Sequence, residues 1–446
     1  MPRVRLFRNN RAIGTPDAES GHDPLMITTL PARLAVVNAW FRNTFRSMRR
    51  YNYRVWAAGA IISNTGTWMQ RIAQDWLVLT QLTEHSGTSV GIVMSLQFGP
   101  PIILMPLAGM LADRVDRRSM LIATQSAMAV TALGLGLLVI AGIVSLWHVY
   151  LFAGLMGCIS AFDSPVRQIF ISELVGDEDL PNAVALNSSM FNSAQLIGPA
   201  VAGLMIAAIG TGWMFILNAL SFLAVIASLM KMRTAELRHL PKAALSRTPI
   251  ADGLRYVWQH PDLLVALTML FLVGTYGLNF PIFISTMSVT TFHGGPHLYG
   301  ALSSTMAVGS VIGSLLSAQR EKPRLLVPAA SAFAFGVICT IAALMPNIWT
   351  FGISLVALGV VAQTFTTSTN SLVQLRTPPS MRGRVMAIYM AIFLGCTPLG
   401  APFVGWVADV FGPRWAIAVA AASGFVATII ALAYHRHRNI NARIKN

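Results

Sequence analysis

Charge-free stretches of membrane length alternate with short basic knots along this chain. No Asp, Glu, Lys or Arg lies between Glu84 and Asp113, nor between Arg118 and Asp163. A helix that crosses the hydrocarbon core of a bilayer needs about 20 mostly apolar residues. By that measure residues 85–112 predict one span. Residues 119–162 predict two, broken between Ala141-Gly142 and Trp147-His148. Two more fall in 180–230, broken at Gly210-Thr211-Gly212, and two in 263–319, broken near Gly294-Gly295-Pro296. Residues 325–375 predict two, broken at Pro346-Asn347, and 385–408 and 415–435 predict one each. Residues 55–70 with 76–83 predict a first span, which carries Arg71 and Asp75 inside it. The pattern is that of an all-α membrane protein with twelve transmembrane helices.

Composition agrees. Of 446 residues 54% are hydrophobic and 11% charged, whereas soluble domains are about a quarter charged. The net charge of +15 does not gather into a basic stripe on a polar domain, so nucleic acid is not an expected partner. Basic residues instead set orientation, because they are retained on the cytoplasmic side. With the N-terminus inside, all of the 32 lysines and arginines except Arg71 and Arg414 belong to cytoplasmic segments. Both termini are therefore expected in the cytoplasm, with the spans in the inner membrane. No apolar secretory stretch occurs in the first 24 residues.

The predicted organisation is a basic tail (1–51), a first group of six spans (52–232), a cytoplasmic linker (233–262), a second group (263–436) and a basic C-terminal tail (437–446). In the first tail Pro31 either opens a short helix with Leu34, Val37, Trp40, Phe41 and Phe45 toward anionic lipid, or the tail stays irregular. Asp252 to Gln259 predicts a short surface helix in the linker. A shift of 202 residues aligns Ala185, Phe191, Gly198, Gly203, Gly210 and Trp213 with Ala387, Phe393, Gly400, Gly405, Gly412 and Trp415. That superposes the fifth span on the eleventh, as a duplicated six-span unit would. Cys158, Cys339 and Cys396 stand singly in apolar segments, without disulfide or metal-ligand spacing. His293 and His297 have Gly294-Gly295-Pro296 between them, which prevents a helical pair of ligands. No metal and no cofactor is expected, and no nucleophile elbow or His-Glu-x-x-His motif points to an enzyme.

Between two spans lies the knot Gly109-Met-Leu-Ala-Asp113-Arg114-Val-Asp116-Arg117-Arg118. A charge at the bilayer centre costs roughly 2.5–3.5 kcal/mol on the insertion scale, so this knot predicts a tight turn at the membrane surface. The pattern Gly-x-x-x-Asp-Arg-x-x-Arg-Arg resembles the loop between the second and third helices of major facilitator transporters, with Asp116 where that family usually has glycine. In the fifth span, Gly198-Pro199 and Gly203 resemble the family's antiporter motif, with alanine in place of glycine at 185, 194 and 202. The stretch from Ser63 to Leu79, with Asp163-Ser164-Pro165-Val166-Arg167, resembles the exporter branch that includes enterobactin exporters and macrolide efflux pumps. The resemblance covers residues 52–435.

This resemblance implies two pseudo-symmetric six-helix bundles working by alternating access, as a monomer. The implied activity is proton-coupled export of a small amphipathic molecule such as a drug, a siderophore or a metabolite. The alternative on the same fold is a proton-coupled importer, which Gly198-Pro199 disfavours. It also implies a cytoplasmic gate of Gly109, Asp113, Arg114, Arg117, Arg118, Asp163 and Arg167, with Asp113 drawn to Arg382 and Arg384 and Asp163 answering Arg114 or Arg117. In the family such a network locks the outward-facing state.

The first span carries the sharpest chemistry. At 100° per residue, Asn64, Trp68, Arg71 and Asp75 share one narrow face, and a polar face on a membrane helix turns to a cavity or to other helices. Arg71 and Asp75 are four residues apart and can pair. They are either a structural ion pair or a proton-exchanging carboxylate with its counter-charge. Gln97, Tyr276, Asn279, Gln363 and Asn370 are the further candidates for lining a substrate cavity.

Overall fold

The computed structural model describes residues 44–238, 250–318 and 325–445. The chain divides into two units, Met1–Arg46 and Ser47–Asn446, and every long helix belongs to the second. The expected helix after Pro31 and the centre of the linker lie outside the described residues.

In chain order the helices are α1 (Tyr51–Leu77), α2 (Gly87–Arg114), α3 (Arg117–Ile140), α4 (Leu146–Leu174), α5 (Leu180–Ile209), α6 (Thr211–Lys231), α7 (Ile250–Gln259), α8 (Pro261–Tyr276), α9 (Phe280–Thr286), α10 (Pro296–Ala318), α11 (Leu326–Leu344), α12 (Ile348–Arg376), α13 (Pro379–Phe411) and α14 (Pro413–Lys445). A π-helical turn, Val78–Leu82, prolongs α1, and another, Met287–Thr291, prolongs α9. All-helical architecture is what hydrocarbon demands, since helices satisfy their own backbone hydrogen bonds. Among the described residues eleven segments are long and apolar enough to cross a membrane, with α8 and α9 counted together. Helix α1, expected as a span, is not among the eleven, although it is 27 residues long. Its Arg54, Asn64, Gln70, Arg71, Gln74 and Asp75 lower its apolarity.

Helix ends follow local chemistry. Ser86, Asp116 and Asn347 each cap a helix by accepting the backbone N–H three residues on. In the charged knot, α2 runs on to Arg114, so Gly109 is helical and only Val115 and Asp116 make the turn. Asp116, the departure from the family's glycine, accepts from both the N–H and the hydroxyl of Ser119, at 2.8 and 2.7 Å. Gly210 and Gly412 join α5 to α6 and α13 to α14 at φ +86° and +98°, a region that favours glycine. Their matching conformations, 202 residues apart, repeat the internal alignment of the sequence.

Two spans differ from expectation. The fourth does not stop at Asp163-Ser-Pro165: α4 continues through Pro165 to Leu174. Its last turns are held by packing, with Phe170, Ile171 and Leu174 buried in a cluster with Tyr53 and Trp56 of α1. The seventh breaks at Gly277-Leu278-Asn279 between α8 and α9. The Asn279 side chain donates to the Thr275 carbonyl at 2.7 Å, replacing a helical bond that the break removes.

Two contacts join the first half of the chain to the second through small residues. Between α5 and α10, a Cβ at Gly203 would collide with the Pro296 carbonyl, and one at Gly300 with the Pro199 carbonyl. Ser304 of α10 adds a hydrogen bond to the Leu196 carbonyl at 2.7 Å. Between α2 and α13, a Cβ at Gly91 would meet the Ala401 carbonyl and one at Gly405 the Gly87 carbonyl. At the other ends of the same two helices, Gly109 and Gly383 have nothing within 4 Å of a Cβ position. The helices thus touch at the Ser86 end and part at the Gly109 end. Gly300→Leu is accordingly expected to cost about 3 kcal/mol by overpacking, read as a lowered thermal midpoint in detergent. Gly109→Ala, at a helical position with open space, is expected not to lower that midpoint.

Candidate functional site

The polar residues of α1 divide between two neighbours. Gln70 accepts from Asn218 of α6 at 2.6 Å, and Ser221 donates to the same Asn218 at 2.8 Å. This buried cluster packs against Gly66, where a Cβ would collide with Asn218 and Ser221. Such bonds fix one helix on another without ligand chemistry. Trp68, Arg71, Ile72 and Asp75, on the adjoining face, line a cavity of about 360 Å³. Helices α2, α5, α8, α9, α10 and α13 complete its wall, so both halves of the chain contribute.

Arg71 and Asp75 do not close an ion pair. The Arg71 guanidinium lies 4.7 Å from the Trp68 ring centroid and 5.3 Å from that of Phe98, an attraction between a cation and aromatic faces. Buried Asp75 instead accepts from the hydroxyl of Tyr299 on α10, at 2.7 Å. Tyr299 is itself fully buried. This bond ties the first half of the chain to the second inside the cavity.

Of the cavity candidates read from sequence, Trp68 and Gln97 line it, and Pro199 of the antiporter-like motif joins them. Gln97 donates to Gln74 at 3.2 Å. The others are not in the wall. Asn279 is fully buried and engaged in the break between α8 and α9. Tyr276 packs edge-on against Phe403. Gln363 donates to Thr367 at 3.2 Å, and Asn370 accepts from Gln374 at 2.7 Å. The last two bonds stay within α12, a common use of polar residues in spans. Asn64 lies a turn beyond Trp68, outside the lining. Sequence reasoning missed Tyr299, Gln195, Ser303 and Thr397, and the apolar wall of Met94, Phe280, Met306 and Phe393. Polar single residues in apolar runs gave no signal to separate these from packing.

Among the described residues, the expected gate residues of the first half form contacts that stay within that half. Asp163 accepts two bonds from Arg167, at 2.9 and 2.6 Å, and one each from Thr124 and Gln125, at 2.8 and 2.7 Å. It does not answer Arg117, which pairs with Glu173, a residue not anticipated because α4 was expected to end before it. Arg118 donates to the Leu229 carbonyl at 2.8 Å, near the C-terminal end of α6. Arg384 reaches Asp252 of α7 at 3.6 Å, and Arg382 is exposed. The side chains of Asp113 and Arg114 lie outside the described residues. Gly198 packs on Trp68 and Gly203 on α10, so the antiporter-like motif forms the α5 face of the helix contacts described above.

A family model described as "Transmembrane secretion effector" matches residues 42–444. The chain belongs to this family of the major facilitator superfamily. Among its relatives is the staphyloferrin A transporter of Staphylococcus aureus, 26% identical over 78% of this chain and 87% of its own. Macrolide efflux protein A of Streptococcus pyogenes is 25% identical over 82% and 92%. The enterobactin exporter of Shigella flexneri is 26% identical over 79% and 84%. Among solved structures, an inward-facing, unoccupied bacterial homologue of the human lysosomal transporter Spinster superposes with a TM-score of 0.65 at 15% identity, covering 86% of this chain and 96% of that one. This major facilitator protein is thus a multi-pass membrane transporter of the drug and siderophore efflux type rather than an enzyme, and its substrate is a small molecule.

Removing one partner of a buried ion pair strands the other charge and costs on the order of 3 kcal/mol. Glu173→Gln is therefore expected to lower the thermal midpoint more than removal of the exposed Glu236 partner of Arg233, since the Arg117–Glu173 pair is buried and the other is open to solvent. Equal midpoints for the two variants would contradict this.

Proposed function

We propose that this transporter is a proton-coupled exporter of a small amphipathic molecule, with Asp75 as the group that takes up and releases the proton. The observation that carries the reading is the Asp75–Tyr299 bond at 2.7 Å inside the cavity. A carboxylate so placed can exchange protons with whichever side the cavity faces, and losing its charge weakens a bond between the two halves. Arg71, one turn away, supplies the counter-charge when Asp75 is ionised. The cavity volume, about 360 Å³, is that of a small-molecule site. Its aromatic and methionine wall, with a few polar groups, suits a solute with an apolar body. The macrolide efflux and enterobactin exporter relatives support the same class and direction.

In this reading α1 is the twelfth span, and residues 52–232 and 263–436 are two bundles that rock about the cavity. The terminal tails and the linker 233–262 face the cytoplasm, which makes the Gly109 end cytoplasmic and open and the Ser86 end closed. The gate drawn from the family would then assemble only after the transporter turns outward.

Inverted membrane vesicles test the coupling. With the unaltered protein, substrate should accumulate in the lumen as lumenal protons leave. With Asp75→Asn, both fluxes should fall to those of empty vesicles while the protein remains monodisperse and binds substrate. Full gradient-driven accumulation by that variant would reject Asp75 as the proton carrier.

A further inference from the structure

One acidic residue outside the cavity has an unusual set of partners. Asp409 sits two residues before the end of α13, and its carboxylate accepts four hydrogen bonds, all from the start of α2. The donors are the N–H of Gly87, the N–H of Thr88 at 3.0 Å, the Thr88 hydroxyl at 2.6 Å and the Ser86 hydroxyl at 3.0 Å. The first N–H groups of a helix have no acceptor within it. Ser86 covers that of Ser89 at 3.2 Å, and Asp409 covers the two before it from a helix more than 300 residues away in sequence. Its charge meets the positive end of the α2 dipole. Among the described residues no basic side chain forms an ion pair with Asp409. Arg414, on the next helix, turns instead to the Met345 carbonyl at 3.2 Å.

The position of this contact gives it leverage. Helices α2 and α13 run antiparallel, and the outermost glycines of each are spaced alike, Gly87 and Gly109 against Gly405 and Gly383. Gly87 and Gly405 are in backbone contact, whereas Gly109 and Gly383 are open. Between them Ser95 donates to the Pro398 carbonyl at 2.8 Å. The two glycine pairs lie roughly 33 Å apart along the helices, so tilting one helix on the other around Ser95 and Pro398 closes one pair as it opens the other. Asp409 stands at the extreme of the closed arm, where a tilt moves it farthest.

We propose that Asp409 is a latch that holds the Ser86 end of this transporter shut by capping α2, and that turnover to the opposite state requires its release. The inference needs alternating access but neither proton coupling nor a particular substrate, so it stands or falls separately from the role of Asp75.

The test is a distance measurement between spin labels at Ile143 and Trp349, exposed positions at the Ser86 end in the two halves of the chain, with the three cysteines replaced by alanine. The unaltered latch should give a predominantly short distance. Asp409→Asn should raise the ratio of long to short distances about tenfold, as expected for losing bonds to a charged acceptor. Thr88→Val, which removes one donor and keeps the backbone, should shift it in the same direction by less. If Asp409→Asn does not yield a monodisperse protein, Thr88→Val decides alone. An unchanged distribution in every variant that folds overturns the latch.

Discussion

The close crossing of helices at residues without side chains is the constraint from which the rest of this transporter follows. In a bilayer two apolar helices gain little by hiding from lipid, so tight association depends on backbone approach and on polar bonds between them. The two contacts between the halves of the chain are built this way. Gly203 and Gly300 bring α5 against α10, and Gly87, Gly91 and Gly405 bring α2 against α13. Each contact also carries a hydrogen bond between the halves, Ser304 to Leu196 and Ser95 to Pro398. Both lie toward one end of the helices, which leaves the cavity closed on one side by backbone rather than by bulky side chains.

Charge is distributed to suit that arrangement. At the Gly109 end two acids of the first half are satisfied locally, Asp163 by Arg167, Thr124 and Gln125, and Glu173 by Arg117. No bond of that group crosses to the second half among the described residues. Deep in the cavity Asp75 bonds Tyr299 across the halves, while Arg71 rests against Trp68 and Phe98. At the Ser86 end Asp409 bonds the start of α2. Among the described residues, the acids that link the two halves are therefore in the cavity and at the Ser86 end.

Much of the fold was legible because hydrocarbon leaves few choices. Charge-free length located the spans, and Gly210 and Gly412 marked two turns by needing positive φ. The failures have specific causes. Asp163 read as the end of a span because the charge-free stretch stops there, yet packing of Phe170 and Leu174 beside Trp56 carries α4 past it. Asn279 read as a cavity residue because it is polar in an apolar run, and it turned out to repair the break at Gly277. Asp75 stood out as an acid inside a span. Its partner Tyr299 did not, since nothing local separates a tyrosine that reaches a carboxylate from one that only packs. Asp409 was unreadable for a different reason: its partners are backbone N–H groups, which every helix start possesses.

Alternating access requires the contact of α2 with α13 at the Ser86 end to open in every transport cycle. Cysteines at 88 and 409, where the native side chains approach to 2.6 Å, allow that end to be bridged and released at will. Transport into inverted vesicles by the bridged protein should stop, and adding a reductant should restore it to the rate of the unbridged double variant. Undiminished transport with the bridge intact would show that this end need not open.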